Sequence, residues 1–301
     1  MSPTAPKPIV PGSKIAWIGL GAMGVPMATR LFGAGYSLTG YNRTAHDSLS
    51  TLPFSRAETP AQAAREADLV ILMLRDGKAT REVLEGKEGV LSALAPGQIV
   101  VDMSTIAPDE AQGEARLVAD RGALYFDIPV SGSVVPAARG ELLLLAGGEE
   151  SLRPLLEAPL SVLGKSLHWF GPAGRGMAAK LAINLLLGAH MEALAETLQA
   201  GSILGLEKKA LADAILDSPL GTPFARIKVK NLLERDYTKA FSASLMKKDL
   251  DLLDRSLGLF SPDHPSLSVL RDLYRKVLDR GQGDKDLSIV AEALRQGSGT
   301  P

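Results

Sequence analysis

The run Ile18–Gly19–Leu20–Gly21–Ala22–Met23–Gly24 constrains this chain more than any other segment. It stands where an apolar β-type run, Lys14–Leu20, gives way to a helical stretch from Ala22 to about Gly33. Glycines spaced as GxGxxG at such a junction serve three steric ends. Gly19 permits the tight turn, Gly21 lets the backbone approach a pyrophosphate, and Gly24 allows helix and strand to pack closely. The free N–H groups at the helix start, aided by the helix dipole, then face an anion. A glycine turn alone occurs in many α/β proteins; here it follows a strand, opens a helix and heads a βαβ unit, which favours a dinucleotide site.

The rest of the first half repeats that unit. Strands are expected at Tyr36–Tyr41, Leu69–Leu74, Ile99–Asp102, Leu124–Asp127, Leu142–Ala146 and Leu167–Phe170. Helices are expected near Pro60–Glu66, after Pro108 and near Glu149–Leu163. Continuous apolar strands alternating with helices argue for a parallel sheet covered on both faces. After the cluster Gly171–Pro172–Ala173–Gly174 no convincing strand remains. Ala173–Leu204 reads as one long helix, broken or bent near Gly188 or Gly201. Further helices follow at Lys208–Asp217, Pro223–Glu234, Ser244–Leu257, Pro265–Asp279 and Leu287–Gln296. The expected class is therefore α/β. A Rossmann-type, doubly wound parallel sheet spans residues 14–173, an all-α domain spans 174–301, and Met1–Ser13 forms a Pro-rich, irregular leader.

Composition narrows the partners. With 33 basic and 34 acidic residues the net charge is -1, which offers no bulk field for a nucleic acid. No cysteine is present, so disulfides, thiolate metal sites and cysteine nucleophiles are excluded. The leader lacks the apolar core of a signal peptide. The most apolar stretch, Met177–Leu198, is interrupted by Lys180, Asn184, His190, Glu192 and Glu196, and reads as a buried helix of a cytoplasmic protein, not a membrane span.

The end of the second strand bears on cofactor type. An NAD site usually places Asp or Glu there for the ribose hydroxyls; this chain has Asn42–Arg43–Thr44. Asn42 does not repel a 2′-phosphate, Arg43 offers it a charged fork, and Thr44 adds a hydroxyl. NADP(H) is favoured over NAD(H), unless Arg43 is only a solvated loop residue. A flavin would also retain the acidic ribose ligand. Two strand ends carry further polar groups where ligands bind in open α/β sheets: Asp102–Met103–Ser104–Thr105 and Asp127–Ile128–Pro129–Val130–Ser131–Gly132–Ser133. The second loop, with small residues and accessible N–H groups, suits a carboxylate. Lys180 and Asn184 lie four apart on one helical face amid Met177, Leu181, Ile183 and Leu185. Burial there is costly without partners or work, and a partly desolvated lysine can pass a proton near neutral pH. By itself Lys180 could equally snorkel to the surface.

GLGAMGVPMA at 19–28, DMST at 102–105, DIPVSGS at 127–133, GRGMAAKLAIN at 174–184 and KDLDL at 248–252 together resemble the β-hydroxyacid dehydrogenases, in family order over nearly the whole chain. The resemblance implies an NAD(P)-dependent enzyme interconverting a small hydroxy acid and its semialdehyde or keto acid. It implies Lys180 as general acid, Asn184 holding substrate or orienting Lys180, and Ser131 and Gly132, with Ser133, on the substrate carboxylate. The glycine loop with Leu20, Ala22 and Met23, then Asn42, Arg43, Thr44, Leu74 and Thr105 beside Ser104, would line the cofactor. Lys248 would close over it and Asp249 would fix that segment. Lys248 is chosen over Lys247 by its register with Asp249. Ile128 and Ser133 depart from a more usual alanine and glycine, which bears on substrate identity. No metal is implied, and a homodimer or homotetramer is the family expectation. An imine reductase on the same fold replaces the lysine, and a noncatalytic NADP-binding relative loses it; this chain keeps it.

Overall fold

The computed structural model describes residues 6–44, 49–258 and 264–295. Two compact units are resolved, Met1–Lys180 and Leu181–Pro301.

In the first unit six parallel strands are ordered β3-β2-β1-β4-β5-β6. They are β1 (Lys14–Ile18), β2 (Ser37–Tyr41), β3 (Ser55–Arg56), β4 (Leu69–Leu72), β5 (Ile99–Asp102) and β6 (Leu124–Asp127). Their order reverses direction beside β1, as expected of a doubly wound sheet. The central strands β4 and β5 are buried along their whole length, which explains why they read as unbroken apolar runs. Alternate residues of β1 enter opposite cores: Ile15 and Trp17 on one face, Ala16 and Ile18 on the other. Helices α1 (Gly24–Gly33), α2 (Pro60–Ala64), α3 (Gly77–Glu85) and α4 (Pro108–Ala119) complete the layers.

Four departures from expectation have local causes. Leu142–Ala146 and the segment around Leu167 do not extend the parallel sheet. With β7 (Val130–Ser131) they form a second sheet, β8 (Leu142–Ala146) and β9 (Gly164–Trp169), in which β7 and β8 are antiparallel. Only residues 132–141 separate β7 from β8, including the short α5 (Val134–Arg139); that is less than the dozen or so a parallel crossover needs. The stretch 149–163 splits at Leu156 into a 3₁₀ turn, Glu150–Leu155, which contains Pro154, and α6 (Glu157–Leu163). Residues 6–13, the described part of the expected leader, are irregular but tethered: Ile9 is buried and donates its N–H to the Leu155 carbonyl at 2.8 Å. α3 was unforeseen. Its start is set by Asp76, whose Oδ1 accepts from the Ala79 N–H at 2.9 Å.

The long helix α7 (Arg175–Ile203) runs unbroken, and the boundary between the two units falls within it. It is not broken at Gly188 or at Gly201. Each instead admits a close neighbour: a Cβ at Gly188 would sit 3.4 Å from Leu270 and Met246, and one at Gly201 would sit 2.2 Å from Leu211. By length and composition α7 is the one described helix able to cross a membrane; 39% of its most apolar window is buried in the chain. The second unit continues with α8 (Lys208–Asp217), α9 (Pro223–Glu234), α10 (Ala243–Leu257), α11 (Pro265–Asp279) and α12 (Val290–Arg295), the last preceded by a 3₁₀ turn, Leu287–Ile289. Gln296, placed at the end of that last helix from sequence, lies outside the described residues. Its core gathers Leu181, Met191, Leu198, Val229, Met246, Leu250, Leu270 and Tyr274. Inside it a buried ion pair joins Lys228 to Asp286 at 2.6 Å, the carboxylate also accepting from Ser288.

Candidate active site

The glycine loop is built by close approach. Gly19 has φ +103°, and a Cβ there would lie 2.2 Å from the Met73 carbonyl; a Cβ on Gly24 would lie 1.9 Å from the Gly19 carbonyl. Nothing lies within 4 Å of a Cβ built on Gly21, which leaves room for a ligand against the backbone. The loop is clamped from both sides. Trp17 Nε1 donates to the Gly19 carbonyl at 3.0 Å, and the Gly19 N–H donates to the Tyr41 carbonyl at 2.9 Å. Met23 opens α1 without a side-chain cap, the arrangement that suits an anion at a helix N-terminus.

A cleft of about 450 Å³ opens beside this loop at the carboxyl ends of β1, β2 and β4. Of the residues expected around a dinucleotide, Gly19, Gly21, Asn42, Arg43, Thr44 and Leu74 line it, while Leu20, Ala22, Met23, Gly24 and Thr105 do not. Asn42 acts as a strut: its Oδ1 accepts from the Leu20 N–H at 3.0 Å and its Nδ2 donates to the Thr44 carbonyl at 2.7 Å. That pins the turn presenting Arg43 and Thr44, both exposed. Arg43 meets Glu82 of α3 at 3.1 Å. Thr59, Met73, Arg75, Ala79 and Val83 complete walls that sequence reading missed; the Asp76–Gly77 cap opening α3 was the available signal.

The second strand end is organised around Asp127, fully buried at the end of β6. Its two carboxylate oxygens accept from the N–H groups of Gly174 and Met177, both at 2.8 Å, so it caps the start of α7. Burial pushes its carboxyl up to about 6, while the Gly174 and Met177 N–H groups pull the other way. Gly176 is obligatory here: a Cβ would lie 2.4 Å from the Leu145 carbonyl and 2.5 Å from that of Asp127. One turn further along α7 comes Lys180, only 8% exposed, so it does not snorkel.

The loop after Asp127 presents Ser131 and Ser133, half-buried, and Gly132, exposed with φ +140°. Ile128 is fully buried in the sheet core. In the second unit Asn184 Nδ2 donates to Asp249 Oδ2 at 2.6 Å, and Lys248 pairs with Asp249 Oδ1 at 2.9 Å. Lys247 pairs instead with Asp251 at 2.6 Å. Asn184 Oδ1 is buried with no hydrogen-bond partner among the described residues.

The NAD-binding domain of 6-phosphogluconate dehydrogenase, as a sequence family, matches residues 14–171. The NAD-binding domain of NADP-dependent 3-hydroxyisobutyrate dehydrogenase matches residues 174–294. The chain is 36% identical to the NAD-dependent L-serine dehydrogenase of Pseudomonas aeruginosa, covering 92% of this chain and 96% of that protein. It is 32% identical to the chloroplastic glyoxylate/succinic semialdehyde reductase 2 of Arabidopsis thaliana, over 93% and 79%. The structure of Mycobacterium tuberculosis 3-hydroxyisobutyrate dehydrogenase with L-serine superposes with a TM-score of 0.86 at 30% identity, covering 94% of this chain and 99% of that one. A glycine loop clamped for a pyridine dinucleotide, a sheet that places it, and relatives matched from end to end lead to one assignment: the chain belongs to the β-hydroxyacid dehydrogenase family of NAD(P)-dependent oxidoreductases.

Proposed function

We propose that this enzyme interconverts a small 3-hydroxy or 2-hydroxy acid and its semialdehyde or keto acid, with NADP(H) preferred and Lys180 as general acid and base. The observation that carries the reading is the burial of Lys180 within the first turns of a helix capped by Asp127. A lysine held out of water has its ammonium form disfavoured, which makes proton transfer near neutral pH accessible. The bound nicotinamide supplies or accepts the hydride. Lys180 then protonates the carbonyl oxygen in reduction, its positive charge also favouring the charge that develops there, and it takes the hydroxyl proton in oxidation. Ser131, Gly132 and Ser133 hold the substrate carboxylate. Asn184 holds substrate through its buried acceptor and is itself oriented by Asp249.

NADP(H) preference rests on Arg43, Thr44 and the absence of an acid at the end of β2. Asn42 supports this indirectly, by fixing the turn. The relative named NAD-dependent does not decide the cofactor of this chain, because the preference depends on its own Arg43 and Glu82. Retention of Lys180 weighs against the imine-reductase reading.

The test follows NADPH and NADH oxidation against a panel of small carboxylated aldehydes, with wild type and Lys180→Ala side by side. Lysine-dependent turnover that falls by roughly 10²-fold or more, the scale of a lost general acid, is expected, with NADPH the better cofactor. Tight dinucleotide binding without lysine-dependent turnover would refute the reading.

A further inference from the structure

The cleft beside the glycine loop is short of positive charge for the ligand it suits. Among the described residues lining it the only cations are Arg43 and Arg75, set against Glu58, Glu82 and Glu88. A dinucleotide brings a negatively charged pyrophosphate, and NADP(H) adds a further phosphate. The run Gly19–Gly24 carries no charged side chain, and a helix start contributes only a partial charge. Arg43 is already engaged, meeting Glu82 at 3.1 Å. Arg75 is exposed and forms no ion pair among the described residues.

The backbone holds Arg75 at a fixed place beside that loop. Before it, the Met73 N–H donates to the Ile18 carbonyl at 2.8 Å and the Leu74 N–H donates to Ser104 Oγ at 2.9 Å. After it, Asp76 caps α3 through the Ala79 N–H at 2.9 Å. The Met73 carbonyl and the Leu74 side chain pack directly against Gly19. Arg75 therefore enters the cleft where the segment after β4 runs along the glycine loop. Arg43 enters it from the other side. It follows β2, and β1 lies between β2 and β4, which sets those strand ends roughly 10 Å apart. Its partner Glu82 lies along α3 from the Asp76 cap, by roughly 9 Å at the helical rise. We propose that Arg75 binds the pyrophosphate of the dinucleotide, leaving the 2′-phosphate to Arg43. A guanidinium presents its N–H donors as a planar fork that matches phosphate oxygens, and its charge offsets the carboxylates in the same cleft. The proposal rests on the reading that the dinucleotide occupies this cleft.

Four ligands separate the two phosphate sites. ADP carries a diphosphate and no 2′-phosphate, adenosine 2′-monophosphate carries only the latter, NADH has the pyrophosphate alone, and NADPH has both. Dissociation constants are read from NADH and NADPH fluorescence, and from displacement of NADPH by the two nucleotides, in wild type, Arg75→Ala and Arg43→Ala. Arg75 is exposed, so its truncation leaves no buried group unpaired, and R75A is expected to fold. R75A should weaken ADP, NADH and NADPH about tenfold each, the scale of one hydrogen bond to a charged group. Adenosine 2′-monophosphate should change by less than about twofold. R43A should do the reverse, weakening adenosine 2′-monophosphate and NADPH while sparing ADP and NADH. Added salt should weaken NADH binding less steeply in R75A than in wild type. If R75A weakens adenosine 2′-monophosphate and spares ADP, Arg75 belongs to the 2′-phosphate and the proposal fails. If R75A matches wild type for every ligand while R43A is weakened as expected, Arg75 is a solvated surface residue; the proposal then fails and the cleft reading stands. If neither variant changes any affinity, the dinucleotide binds elsewhere and the cleft reading falls with the proposal.

Discussion

Asp127→Ala separates the two opposing effects at the start of α7. The carboxylate supplies both acceptors for the Gly174 and Met177 N–H groups. Removing it leaves two buried donors without partners, which costs roughly 1–3 kcal/mol each. Against that stands the cost of holding an ionised carboxylate out of water. The rise from 3.8 to about 6, at about 1.36 kcal/mol per pH unit, amounts to about 3 kcal/mol. The sign follows from proton linkage. The folded state binds the Asp127 proton more tightly than the unfolded chain, so this stability is fully present below 3.8 and is lost as pH rises through about 6. About 1.6 kcal/mol is already lost at pH 5 and nearly all of it at pH 7.5. D127A lacks this slope, so its destabilisation should be about 1.4 kcal/mol smaller at pH 7.5 than at pH 5. Urea unfolding read by tryptophan fluorescence reports the right unit: the chain has two tryptophans, Trp17 buried beneath the glycine loop and Trp169 edge-on to Phe126. A destabilisation that instead grows with pH would show that the helix start stabilises the anion more than burial penalises it, and would refute the reasoning.

Other perturbations have equally definite outcomes. Glu82→Gln frees Arg43 from its exposed ion pair; surface pairs are worth about 0–1 kcal/mol, so KM for NADPH should fall by at most about fivefold, with KM for NADH unchanged. A drop in both, measured by initial rates, would remove Arg43 from the 2′-phosphate site. In the second unit, burial raises the Asp286 carboxyl, but the Lys228 hydrogen bond and charge, with Ser288, bring it below the usual range. Lys228→Ala leaves that buried carboxylate without its counter-ion, though still hydrogen-bonded by Ser288, and should lower stability by about 3–5 kcal/mol. Asp286→Asn combined with Lys228→Ala should recover part of the loss in urea titrations.

The periodicity of the chain was enough to locate the main strands and helices and the dinucleotide loop. Apolar spacing and glycine placement are local properties, and the steric demand at Gly24 is met by nearby Gly19, although the one at Gly19 comes from the Met73 carbonyl beyond β4. Short elements stabilised by contacts distant in sequence were not legible. α3 depends on Thr80 reaching the core, which its local Asp76 cap alone does not announce, and β7 exists only because Leu143 and Leu144 pair with it. The same division runs through the site. Lys180 and Asn184 could be placed on one helical face by counting. That Lys180 is buried, that Asp127 caps its helix from 47 residues away, and that Ile128 faces the core depend on packing that no local pattern records. Asn42 is the plainest case. From sequence it is an uncharged residue at the ribose position; in the fold it is a strut between the glycine loop and the Arg43 turn, because β1 and β2 lie side by side.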